Sequence, residues 1–187
     1  MRLFLAVPLP ESLRSAAAAA AAGLALDRRA WRFVGEGGLH LTIVFFGEVE
    51  AERRVVLDAV CRSAAGGSGV LPLTLRSAGS FPRGGLPQVV WLGIEDRSRR
   101  ALAELAARMA RATREAGFPS DARPFRPHVT IARVRSGVRA LRPDTSRVGV
   151  LGEFAASHVT LFRSELGTGG ARYLVESVYP LAARTVA

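Results

Sequence analysis

The chain has 187 residues, 49% of them hydrophobic and 22% charged, with one cysteine; this composition excludes a disordered segment and a disulfide scaffold. Its 26 basic against 16 acidic side chains leave a formal charge of +10, which favours anionic partners, phosphate first among them. Every basic residue is arginine, so in an alanine-rich chain the charge reads either as a solvated arginine surface or as a nucleic-acid footprint.

Arg2 to Val7 predicts a strand, and Pro10 to Ala22 a helix opened by proline and glutamate and closed by Gly23. The start superficially resembles a secretory leader, but Pro8, Pro10, Glu11 and Arg14 break the apolar run. No stretch reaches the ~20 apolar residues that span a bilayer, and the lone Cys61 points to a reducing, cytoplasmic compartment. Trp31 to Val34 and Leu39 to Phe46 predict two strands around the turn Gly35 to Gly38, with Gly47 ending the second. Glu50 to Ala64 predicts a helix, stopped by Gly66, Gly67 and Gly69.

Val70 to Leu75 and Val89 to Ile94 predict an antiparallel pair across a turn-forming stretch holding Pro82, Gly84, Gly85 and Pro87. Between Asp96 and Gly117, Leu102, Leu105, Met109 and Ala112 recur at helical steps, and Glu104 and Arg108 form an i,i+4 pair on the exposed side. His128 to Val134 and Val148 to Leu151 predict further strands, and Val159 to Ser164 pairs with Tyr173 to Val178 across Gly167 to Gly170. Hairpins dominate this order, which indicates an α+β domain rather than a doubly wound sheet. No glycine-rich phosphate loop follows any strand.

The three histidines each have threonine two residues on: His40 and Thr42, His128 and Thr130, His158 and Thr160. Any given position is threonine roughly 4% of the time in this chain, so three such pairs arise by chance at an order of 10⁻⁴. In a strand, residues two apart share a face ~6.6 Å apart, so an imidazole and a hydroxyl project side by side. Leu39, Leu41, Ile43 and Phe45 then form the opposite, buried face of the first motif. Two such strands packed together would set two imidazoles and two hydroxyls around one small anion, supplying acid, base and oxyanion donors. With an unperturbed pKa near ~6.5, one ring can be protonated while its partner is neutral. Taken alone, any one motif reads as a half-buried strand histidine satisfied by a neighbour.

The flanks decide. Arg2 to Ala6, Trp31 to Val34, Gly38 to Gly47, Gly79 to Pro82, Val90 to Gly93 and Arg126 to Arg133 together resemble the two-histidine phosphoesterase superfamily, and within it the LigT-like RNA 2',3'-cyclic phosphodiesterases, along nearly the whole chain. The resemblance implies an α+β fold, bilobal with a pseudo-twofold, in which two mainly antiparallel sheets flank a central cleft and helices cover the outer faces. It implies that residues 1–187 form a single domain of two intertwined lobes, each supplying one motif strand. It implies hydrolysis of RNA 2',3'-cyclic phosphate ends to 2'-phosphomonoesters, with 2',5'-RNA joining as the reverse reaction known in some members. His40 would protonate the leaving ribose oxygen, His128 would activate water, and Thr42 and Thr130 would hold the phosphoryl oxygens. No metal or other cofactor is implied.

His158 has flanks that resemble a late structural strand of the family and is assigned to structure. Phe33, where tryptophan is common, and the replacement of lysine by arginine depart from the family text without touching the chemistry. Arg133 is a candidate substrate contact, although strict alternation puts it on the face opposite His128. Phe46 falls on the His40 face, where it would either stack on a base or serve as core. Arg2, Arg32, Arg123 and Arg126 are candidates for the cleft mouth.

The expected partners are RNA with 2',3'-cyclic phosphate ends or small cyclic nucleotides, with no membrane, and the chain is expected to act as a monomer. Three rival readings stand beside this one. The first is a non-catalytic RNA-binding module. The second is a metal site on His40 and His128, for which Glu36, Glu48 and Asp121 offer no recognisable ligand spacing. The third keeps the chemistry but acts on another small cyclic nucleotide, an ADP-ribose derivative or a 2',5'-linked oligomer.

Overall fold

The computed structural model describes residues 1–119, 123–167 and 170–181. Asp121 and the tip of the expected Gly167 to Gly170 turn lie outside the described residues. The strands are β1 (Arg2–Pro8), β2 (Trp31–Phe33), β3 (His40–Glu48), β4 (Leu71–Phe81), β5 (Val89–Asp96), β6 (His128–Val134), β7 (Val150–Ala156), β8 (His158–Gly167) and β9 (Gly170–Pro180). The helices are α1 (Glu11–Gly23), α2 (Arg54–Ala65) and α3 (Ala101–Glu115).

All paired strands are antiparallel, in the order β7-β4-β5-β6-β3-β1-β8-β9, with β2 also on β6. The α+β class and the antiparallel pairing therefore agree with expectation. The two expected sheets are joined into one ladder, however, through a single residue pair, Leu41 with Val129. On either side of that pair the order is similar: a motif strand, then a strand that precedes it across a helix (β1 before β3, β5 before β6), then an outer antiparallel pair, a hairpin in β8-β9 and a long-range pairing in β4-β7. The helices cross between the halves. The helix that follows β1 packs on β6 and β7, and the one that follows β5 packs on α2 and β3.

α1 buries Leu13, Ala17 and Ala21, one narrow stripe at steps of four, so its alanines let the helix lie close on the sheet. α3 buries Leu102, Leu105, Ala106, Met109 and Thr113. The buried Thr113 hydroxyl donates to the Met109 carbonyl at 2.8 Å, so it leaves no unsatisfied group. Asp96 closes β5 and caps α3, because its carboxylate accepts from the Ser98 and Leu102 backbone N–H groups at 2.9 and 2.8 Å. This is why the helical pattern that begins at Asp96 becomes helix only at Ala101.

Several strands are longer than their sequence signals, and two of them, β4 and β7, have a clear cause. β4 runs on through Gly79, Ser80 and Phe81, where glycine and serine look like turn residues. Gly79 is required there for space, since a Cβ would fall 2.4, 2.6 and 2.9 Å from three atoms of the Trp91 indole lying on the strand. β7 spans Val150–Ala156 rather than Val148 to Leu151, because it is recruited by Leu71 to Arg76 of β4 rather than by its own weak pattern.

Gly79→Ala should therefore lower stability by about 1–3 kcal/mol through overpacking. Gly84→Ala, where nothing lies within 4 Å of the new methyl, should stay within about 0.5 kcal/mol. Urea midpoints of the two variants check this, and equal effects would contradict it.

Candidate active site

Leu41 and Val129 are both fully buried. They face each other across the ladder, so their neighbours on the same strands, His40, Thr42, His128 and Thr130, turn to the opposite face around that one pair. Beyond the pair the motif strands diverge, and β2 takes over the edge of β6 from Ala132 to Val134.

The two motifs share a second device. In β3 the register against β1 skips Ile43, and in β6 the register against β5 skips Ile131. Each skip is a bulge that makes two successive residues point inward, Ile43 with Val44 and Ile131 with Ala132. The fifth residue after each histidine is thereby returned to the motif face: Phe45 in β3 and Arg133 in β6. The alternation that would have hidden Arg133 is corrected by this bulge. The corresponding bulge in β3 corrects the reading of Phe46, which is 1% exposed in the core with its ring edge-on to Phe118 at 6.4 Å. Phe45 takes the cleft position instead; it is 40% exposed, with the Arg2 guanidinium 5.1 Å over its ring.

A cavity of about 920 Å³ opens between the diverging strands. Thr42, Phe45, Phe81, His128, Thr130 and Arg133 line it from the sheet, and Arg114, Arg123, Phe125 and Arg126 from α3 and the segment before β6. Of the four arginines suggested for the cleft mouth, Arg123 and Arg126 line it, Arg2 reaches it through Phe45, and Arg32 stands beside Arg133 on the neighbouring strand. His40 is not part of the lining. Its ring is walled by Phe4 at 4.7 Å, Tyr173 at 5.1 Å and Phe162 at 6.2 Å. His128 is walled in the same way by Phe81 at 5.1 Å and Trp91 at 6.4 Å. The Phe81 turn is held from outside by Arg142, which donates to Ser80 Oγ and to the Pro82 and Gly85 carbonyls at 3.1 and 2.9 Å.

Both rings are fixed by one geometry. His40 Nδ1 lies 2.8 Å from the Gly38 carbonyl, and His128 Nδ1 lies 2.6 Å from the Arg126 carbonyl. A carbonyl only accepts, so Nδ1 carries the proton in each ring and Nε2 is left with the lone pair when the ring is neutral. Burial pulls the His40 imidazole down to about 4, against the bond to Gly38, and the charges of Arg133 and His128 press it lower. Burial also lowers His128, again against its carbonyl bond and with Arg133. One guanidinium therefore acts on both rings, and each ring is neutral near pH 7. His158 sits at the start of β8 opposite Pro180, with Nδ1 3.3 Å from Ser157 Oγ, away from these contacts. Its partner Thr160 is buried at 2%.

Among the described residues, no three His, Cys, Asp or Glu side chains lie together as metal ligands. Among the described residues, no helix is long and apolar enough to cross a membrane.

Residues 9–168 match the family model for the 2'-5' RNA ligase superfamily. The chain belongs to that superfamily. It is similar to the RNA 2',3'-cyclic phosphodiesterases of Escherichia coli, at 34% identity over 92% of both chains, and of Methanothermobacter thermautotrophicus, at 31% identity over 97% of this chain and 99% of that one. It spans about half the length (52%) of the similar Geobacillus stearothermophilus protein. Among solved structures, a Thermus thermophilus protein superimposes with a TM-score of 0.83 at 30% identity, covering 98% of this chain and 100% of that one. E. coli LigT complexed with 3'-AMP superimposes at 0.78 and 30% identity, covering 96% and 97%.

The depressed His40 has a consequence for stability. Between the unfolded value near ~6.5 and about 4, the unfolded chain binds a proton that the folded ring does not. Stability is therefore full above that window and falls as pH falls through it. His40→Asn removes this contribution. Urea midpoints should show the wild type losing stability relative to the variant as pH drops from 7 to 4.5, and a constant difference would contradict the assignment.

Proposed function

We propose that this chain is an RNA 2',3'-cyclic phosphodiesterase whose acid and base are His40 and His128. The observation that carries the reading is the matched pair of imidazoles, each tied through Nδ1 to the carbonyl two residues upstream, on strands that meet at Leu41 and Val129. The names and identities of the relatives support the reaction class.

A cyclic phosphate between the motifs brings negative charge to a wall of guanidinium groups and neutral imidazoles, and that charge favours protonation of one ring. His40 is the ring drawn down to about 4, so once protonated it is a strong donor for the leaving 3' oxygen. His128 takes a proton from water through Nε2 as the water oxygen attacks phosphorus. The bond from phosphorus to the 3' oxygen breaks, the 3' oxygen leaves as a hydroxyl with the proton from His40, and the phosphate stays on the 2' oxygen. Thr42, Thr130 and Arg133 hold the non-bridging oxygens and stabilise the charge that grows on them. With a ribose 5' hydroxyl in place of water, the same proton transfers join two RNA ends through a 2',5' linkage. No step calls for a metal.

An oligonucleotide ending in a 2',3'-cyclic phosphate should yield a 2'-phosphate end, with turnover retained in chelator. His40→Ala and His128→Ala should each cost about two orders of magnitude or more in kcat, while His158→Ala should stay within about threefold. Capture of the RNA without turnover would favour a binding module. Activity lost in chelator and restored by one divalent ion would favour a metal site, and equal damage from His158→Ala would overturn the pairing of His40 with His128.

A further inference from the structure

We infer that the cavity receives at least the last two nucleotides of an RNA strand, and that Arg114, on the last turn of α3, holds the phosphodiester upstream of the cyclic end. This rests on the reading of the cleft as a cyclic phosphodiesterase site and adds the length of strand that the site recognises.

The cavity extends well past the two motifs. It continues to α3, where Ala103, Ala107, Ala110 and Arg114 line it at steps of three and four. Such residues form one stripe along a helix, and from 103 to 114 the stripe runs ~16 Å. Three methyl groups in a row give a smooth wall on which a base or ribose can lie, and the stripe ends in a guanidinium. The terminal phosphate belongs at the other wall, where His128, Thr130 and Arg133 stand together on β6. Arg114 projects from the helix instead, so it addresses a different phosphate.

The distribution of charge points the same way. On the outer surface some arginines pair with carboxylates, Arg62 with Asp58, Arg76 with Glu95, Arg97 with Glu153, and Arg100 with Glu104 at the start of the same helix, and others, such as Arg53, Arg108 and Arg142, are held by backbone carbonyls. Among the described residues no carboxylate lines the cavity, and Arg114, Arg126 and Arg133 have no acidic partner. Their charge is available to an anionic ligand with more than one phosphate, which is the electrostatic form of a single RNA strand.

The test is equilibrium binding of a mononucleotide 3'-phosphate and a trinucleotide 3'-phosphate, at low and moderate salt. The wild type should bind the trinucleotide about tenfold or more tightly, with a steeper salt dependence. Arg114→Ala should lose about tenfold more affinity for the trinucleotide than for the mononucleotide and flatten the salt dependence by roughly 0.7 in log–log slope, and Arg114→Gln should do the same. Arg111→Ala removes an exposed arginine of the same helix that does not line the cavity, and it should leave the length preference intact.

A trinucleotide bound no better than the mononucleotide, or equal effects of Arg111→Ala and Arg114→Ala, would overturn the inference. Hydrolysis of the cyclic end without any length preference would sink this inference alone. Length-dependent binding that needs Arg114, with no hydrolysis, would uphold it and sink the catalytic reading instead.

Discussion

One ladder contact, Leu41 against Val129, organises the molecule. A sheet that continued pairing along both strands would be closed, with no room for a ligand. A sheet without the contact would leave the two histidine strands in separate halves. The structure lies between these cases. One buried aliphatic pair fixes the strands relative to each other, and four polar motif side chains surround it on the other face. The strands then part, and β2 satisfies the edge of β6 that β3 abandons. Helices that cross from one half to pack on the other reinforce the arrangement from outside. The cleft is thus a consequence of where pairing stops.

Within it, the repeated bulge after each motif adds a second pair of positions on the motif face to the first. Phe45 and Arg133 occupy equivalent places in the two strands but differ in chemistry, an aromatic ring on one side and a guanidinium on the other. Two strands with the same bulge therefore present an asymmetric surface, as the proposed ligand with a base at one end and a phosphate at the other requires. The electrostatics follow from the same placement. Two neutral imidazoles stand beside arginines, and among the described residues no carboxylate lines the cavity, so in the proposed reaction an anion supplies the field that charges one ring.

Much of this was legible in the sequence, and the illegible parts have physical reasons. The histidine and threonine spacing identified the motif face because strand alternation is rigid over three residues. It failed over six residues, at Phe46 and Arg133, because a bulge changes the phase of a strand without any distinctive residue; Ile43 and Ile131 look like ordinary strand isoleucines. The third motif at His158 shows the converse. Its local text matches, but the strand it opens pairs with β1 and β9 rather than with the other motif strands. The helical period of α3 was clear, yet its cavity-lining stripe was hidden among alanines that favour helix whatever they face. The extension of β4 through Gly79 was hidden because its cause, the Trp91 indole, comes from a neighbouring strand.

The central claim is that the two imidazoles serve one bound phosphate. Nitrogen-15 NMR of histidine-labelled protein, titrated with adenosine 2'-phosphate, reads both rings at once. The account predicts that Nε2 of His40 and Nε2 of His128 respond along a single saturation curve, with both Nδ1 atoms staying protonated and His158 unmoved. A response from only one of the two rings, or two separate curves, would contradict it.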